Sequence, residues 1–106
     1  VIVTEPRVTT RRASDEVVSV ELSGAINVAT ASELRHALVD AIIRQRPSVV
    51  RVDLRDTTYL DPTAIGALLA AAEAADDLRV DLAVCNPSPA LAQQLDTTGL
   101  SHLRAA

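Results

Sequence analysis

Apolar and polar residues alternate over residues 17–22, so that Val18, Val20 and Leu22 share one face and Ser19 and Glu21 the other. A period of two is that of a half-buried β-strand. It recurs over residues 49–54, where Val50, Val52 and Leu54 oppose Arg51 and Asp53, and over residues 79–85, where Val80, Leu82 and Val84 oppose Arg79 and Asp81. Residues 7–12 are expected to add an edge strand, with Ser14, Asp15 and Glu16 as its turn. Gly24 is expected to break the strand that begins at Val17.

Three segments switch to helical spacing. The first is expected to start near Thr30, because Thr30-Ala31-Ser32-Glu33 fits a capping box. Leu34, Ala37, Leu38, Ala41 and Ile42 then recur on one face, and Pro47 stops the helix after Arg46. Asp61-Pro62 opens the second helix as N-cap and N1. Its apolar stripe is Ile65, Leu68, Leu69 and Ala72, and it ends near Asp76-Asp77. Ser88-Pro89 opens the third by the same logic, with Leu91 and Leu95 one turn apart and Gly99 at C′.

The order is therefore β-β-α-β-α-β-α, in which strands joined through helices run parallel. Parallel strands covered on both faces read as continuous apolar runs. These alternate instead. The expected fold is an α/β domain spanning residues 1–106, a single-layer, mixed but mostly parallel four-stranded sheet with helices mainly on one face. Leu34, Leu38, Val50, Val52, Leu54, Leu68, Leu69, Val80, Leu82 and Val84 are its expected core.

Composition narrows the function. About half of the 106 residues are apolar, yet Tyr59 is the sole aromatic. The core must be aliphatic, and stacking platforms for nucleic-acid bases are missing. A net charge of −4 does not favour a nucleic-acid or anionic-membrane partner. All ten basic residues are Arg, which excludes Schiff-base chemistry and a Walker-type lysine. Cys85 is the single cysteine, so no internal disulfide forms, which fits a cytoplasmic setting. No run is long enough to cross a bilayer, and no signal-peptide pattern is seen. Val1 in place of an initiator Met leaves room for a longer parent chain.

Candidate chemistry is sparse. His36 and His102 lack ligand-spaced partners and read as solvent-facing. Cys85, alternating away from Val84, reads as a small, partly exposed strand residue. No catalytic set, metal site or cofactor is expected. The segment of residues 56–66 differs, because it leads from the C-terminal end of a strand into a helix N-terminus, where ligand sites of open α/β folds gather. Thr63 falls at N2, and a phosphate there would meet unpaired amides and the positive end of the helix dipole. Asp61-Pro62-Thr63-Ala64 also serves simply as a strong helix start.

Three blocks, in order, resemble the STAS family of bacterial anti-sigma factor antagonists. Residues 22–34, Leu-Ser-Gly-Ala-Ile-Asn-Val-Ala-Thr-Ala-Ser-Glu-Leu, resemble its strand-to-helix block. Residues 52–66 resemble its phosphorylated loop, and residues 86–100 its Asn-Pro-Ser-Pro block. Together they cover most of residues 17–100. The resemblance implies a domain that binds an anti-sigma factor with a serine/threonine kinase (GHKL-type) fold, frees a sigma factor, and is released when a loop hydroxyl is phosphorylated. It places the phosphoacceptor on Thr63. It places the partner surface on Asn27, Val28, Thr58, Asp61, Pro62, Thr63 and Ala64. The sequence departs from the pattern at Pro62, Thr63 and Ala64, where the family has Ser-Ser-Gly, and at Asn27, where it has Asp. A constitutive, non-phosphorylated binding module and a STAS domain of a larger anion transporter or sensor are the alternatives. A small enzyme is the third reading, opposed by the missing lysine, the unpaired histidines and the lack of a Gly-rich phosphate loop.

Overall fold

A computed structural model describes residues 5–100 and 103. Strand β1, Arg7–Arg12, pairs antiparallel with β2, Val17–Ile26. Helix α1, Val28–Val39, and a π-helical continuation, Asp40–Gln45, cross over to β3, Val49–Leu60, which lies parallel to β2. Helix α2, Pro62–Leu78, crosses to β4, Asp81–Cys85, parallel to β3, and helix α3, Pro89–Thr97, follows. The sheet order is β1-β2-β3-β4. This is the mixed, mostly parallel four-stranded sheet expected from the alternation.

The alternation also sets the layers. Val18, Val20, Leu22, Val50, Val52, Leu54, Leu82 and Val84 all join one buried cluster with Leu34, Leu38, Ile42, Ile65, Leu68, Leu91 and Leu95 from the helices. The opposite face of the sheet carries Arg11, Glu21, Arg51, Asp53 and Cys85, and no helix among the described residues lines the concavity there.

Five local expectations are corrected. Gly24 does not break β2: it adopts φ 76, which glycine alone takes freely, and the strand runs on to Ile26. Helix α1 starts at Val28 rather than Thr30, because Asn27 takes the cap. Strand β3 continues six residues beyond Leu54. Arg79 is the left-handed C-cap of α2 rather than a strand residue, although Val80 is buried as expected. Leu69 is 40% exposed, since the buried stripe of α2 runs through Ala64, Ile65, Leu68, Ala71 and Ala75.

The extension of β3 rests on two register shifts. Glu21 pairs with Asp53 but Ser23 with Asp56, and Gly24 pairs with Thr57 but Ala25 with Tyr59. Each shift gives β3 one residue more than β2, as in a β-bulge. Buried positions on β3 therefore pass from a spacing of two to a spacing of three, at Leu54, Thr57 and Leu60. Thr57, buried and paired with Gly24 where the second shift begins, donates its hydroxyl to the Leu22 carbonyl at 3.1 Å.

Candidate functional site

The C-terminal ends of β2 and β3 deliver two helix starts side by side. At the first, Asn27 sits in extended backbone, and its Oδ1 accepts from the Thr30 amide at 2.9 Å and from the Thr30 hydroxyl at 3.0 Å. Thr30 is thus the third residue of the helix, buried and anchored, instead of its cap. Replacing Asn27 with Ala should cost about 0.5–2 kcal/mol, as an N-cap loss does, because the Thr30 amide and hydroxyl both lose their acceptor. Asn27→Asp should retain the cap. Chemical denaturation of both variants checks this, and an alanine variant as stable as the parent would contradict it.

At the second start, Asp61 is the N-cap and Pro62 is N1, as expected. Asp61 Oδ1 accepts from the Thr63 amide at 2.8 Å. The Ala64 and Ile65 amides both donate to the Asp61 carbonyl, at 2.9 and 3.1 Å. Pro62 has no amide to offer. The first-turn donors expected to await an anion at Thr63 are therefore already engaged, chiefly by Asp61. The Thr63 side chain is exposed, at the mouth of a groove between α1 and α2 lined by Val28, Ala31, Ser32, Arg35 and Gly66.

The two starts are joined directly. The Asp61 amide donates to the Ile26 carbonyl at 2.9 Å. Asn27 and Val28 thus lie beside Asp61, Pro62, Thr63 and Ala64 on one rim, and exposed Thr58 precedes them at the end of β3. Val28 is 63% exposed. Of the named rim residues, Ala64 is fully buried and contributes through the helix backbone.

Three further residues belong to this rim. Tyr59, 49% exposed, lies within the rim segment, and its standing as the sole aromatic is the signal that marks it. Gln94 of α3 donates its Nε2 to the Leu60 carbonyl at 2.7 Å, bracing the end of β3, a contact that no sequence spacing announces. Arg35 shares the groove with Thr63, and its guanidinium has no hydrogen bond or ion pair among the described residues.

Elsewhere, His36 is exposed on α1, and His102 lies outside the described residues. Cys85 is half-buried, and that burial pushes its thiol up; nearby Arg51 pulls it down and Asp53 adds to the rise. Among the described residues no cluster of His, Cys, Asp or Glu could hold a metal ion. No helix among them is long and apolar enough to cross a membrane.

A family model described as "Mlab, STAS domain" matches residues 9–105. Among solved structures, the unphosphorylated form of the anti-sigma factor antagonist SpoIIAA is 16% identical, with a TM-score of 0.83 over 93% of this chain and 86% of that one. An anti-sigma factor antagonist from Mycobacterium paratuberculosis is 24% identical, with a TM-score of 0.77 over 92% of this chain and 81% of that one. A sulfate transporter family protein from Wolinella succinogenes is 22% identical, with a TM-score of 0.73 over 87% of this chain and 74% of that one. At such identities the structural likeness is one of fold.

Proposed function

The chain belongs to the STAS domain family, and on that premise we propose that it is an anti-sigma factor antagonist, a cytoplasmic, non-enzymatic regulator in bacterial transcription. It docks its rim on an anti-sigma factor of kinase fold and is released by phosphorylation of Thr63. The observation that carries this reading is the joined pair of helix starts. One hydrogen bond, from the Asp61 amide to the Ile26 carbonyl, ties together the two helix starts that carry exposed Asn27, Val28 and Thr63, with exposed Tyr59 two residues before Asp61. An exposed aliphatic and an exposed aromatic side chain on a rim with exposed hydroxyls suit a protein partner. The likeness in fold to two anti-sigma factor antagonists supports the same reading.

The test is binding to kinase-type anti-sigma factors from the source organism, with nucleotide present. Val28→Glu should weaken the complex by about tenfold or more, equivalent to about 1.4 kcal/mol. It should leave the melting temperature unchanged, because Val28 is mostly in water already. Footprinting that maps the contact to residues 44–48, at the opposite end of β3, would sink the assignment of the rim. Turnover of nucleotide by the isolated domain would replace the binding reading with an enzymatic one.

The likeness to a sulfate transporter family protein favours one other reading, a regulatory domain within a larger transporter. Fusion of residues 9–105 to membrane-spanning segments in the full reading frame would select it.

A further inference from the structure

The face of the sheet that carries Arg51 and Asp53 holds a concavity of about 200 Å³, set apart from the rim. Its lining includes Arg11, Arg51 and Arg55 against one carboxylate, Asp53, in a chain whose net charge is −4. The existing partners leave much of this positive charge unused. Arg11 is held by Glu21 of the neighbouring strand at 3.6 Å. Asp53 Oδ1 accepts from the Arg55 backbone amide at 3.0 Å and from Asn86 Nδ2 at 3.2 Å, so it is turned to backbone and amide donors. The guanidinium groups of Arg51 and Arg55 have no hydrogen bond or salt bridge among the described residues.

Ser19 supplies an independent indication. It lines the same concavity, pairs in register with Arg51, and is only 7% exposed. Its hydroxyl has no hydrogen bond among the described residues. Yet no fully enclosed side-chain polar atom among them lacks a partner. The Ser19 oxygen is therefore not fully enclosed, and because Ser19 lines the concavity its hydroxyl is open to an acceptor from that side. Cys85 completes the wall with a thiol that its burial pushes up.

We propose that this face binds a small tetrahedral oxyanion, a phosphate or sulfate group, held by the guanidinium groups of Arg51 and Arg55 and by the Ser19 hydroxyl. Planar forks on two arginines and a hydroxyl on the adjacent strand approach an oxygen-rich anion from different directions. A volume of about 200 Å³ admits a free ion or a terminal phosphate.

Cys85, the sole cysteine, gives a direct readout. Its alkylation by neutral iodoacetamide is followed on the full chain at fixed pH and ionic strength, with phosphate, sulfate, acetate or chloride. Phosphate and sulfate should slow the reaction at least about threefold, as occupancy of an adjacent site shields a thiol. Amide NMR shifts should cluster at Ser19, Arg51 and Arg55. Arg51→Gln and Ser19→Ala should each weaken the protection while leaving the melting temperature in anion-free buffer near that of the parent. Equal protection by chloride, or protection intact in Arg51→Gln, would overturn the site. Equal protection by acetate would overturn the tetrahedral preference.

Discussion

Leu68→Ala should destabilise the domain by about 2–5 kcal/mol, the usual cost of deleting a fully buried leucine. Leu68 is 0% exposed and lies in the buried cluster that joins the helices to the sheet. That cluster contains no Phe, Trp or Met, so no large or flexible side chain can swing into the void. Lost transfer energy and an unfilled cavity then add. With a urea m-value of about 1–3 kcal/mol/M, the midpoint should fall by on the order of 1–5 M. Leu69→Ala is the matched control: same residue type, same helix, next position, but 40% exposed. It should cost much less. A Leu68 variant unfolding at the parent's midpoint would remove α2 from the place it occupies here.

Phosphorylation of Thr63 should release the partner while leaving the free domain folded. A phosphate brings close to two negative charges and three acceptor oxygens. In the free domain the gain from the helix dipole is about 0.3–1 kcal/mol. Here that gain is further reduced, because Asp61 already occupies the Thr63 amide and sets a carboxylate beside the new charge. Under a docked protein surface the phosphate would lose water without a compensating partner, at a cost of several kcal/mol. The docking penalty is the larger, so affinity should fall by about a hundredfold or more, some 2.7 kcal/mol. Thr63→Ala should stay bound and ignore ATP. Thr63→Glu should bind more weakly than the parent but release less completely than phosphothreonine. Mass spectrometry of the domain mixed with kinase and ATP locates the group. Phosphate only on Ser88 or Thr98, or none alongside tight binding, would leave a constitutive binding module.

Where local chemistry had one solution, the sequence was readable. Asp61-Pro62 and Ser88-Pro89 each combine a capping oxygen with a proline at N1, and both helices start there. Gly99 takes the positive φ of 83 just beyond α3. Where two solutions overlapped, it was not. Asn27 and Thr30 are both competent caps; Asn27 prevails because it can hold the Thr30 amide and hydroxyl together. The second half of β3 was hidden because its two extra residues disturb the period of two on which a strand is recognised. The family resemblance gave an expected partner rim near Asn27 and Thr63, residues that the structure brings to two joined helix starts. That the Asp61 cap expected from the sequence takes the Thr63 amide itself, leaving it unavailable to an anion, is shown by the 2.8 Å contact. Leu69 was misplaced for a related reason: an apolar pair at adjacent helix positions straddles the edge of a stripe, and only packing decides which one turns inward.

The bond from the Asp61 amide to the Ile26 carbonyl also bears on how fast a partner can dock. Two loops that wander separately must be caught in one shared arrangement, and freezing them subtracts from affinity. Here the two helix starts are fastened before any encounter, in the manner of a rung added to the sheet. Docking then demands little rearrangement of this chain, so the encounter rate should be nearly the same for the parent and for Val28 and Thr63 variants. Their differences in affinity should reside in how long each complex lasts.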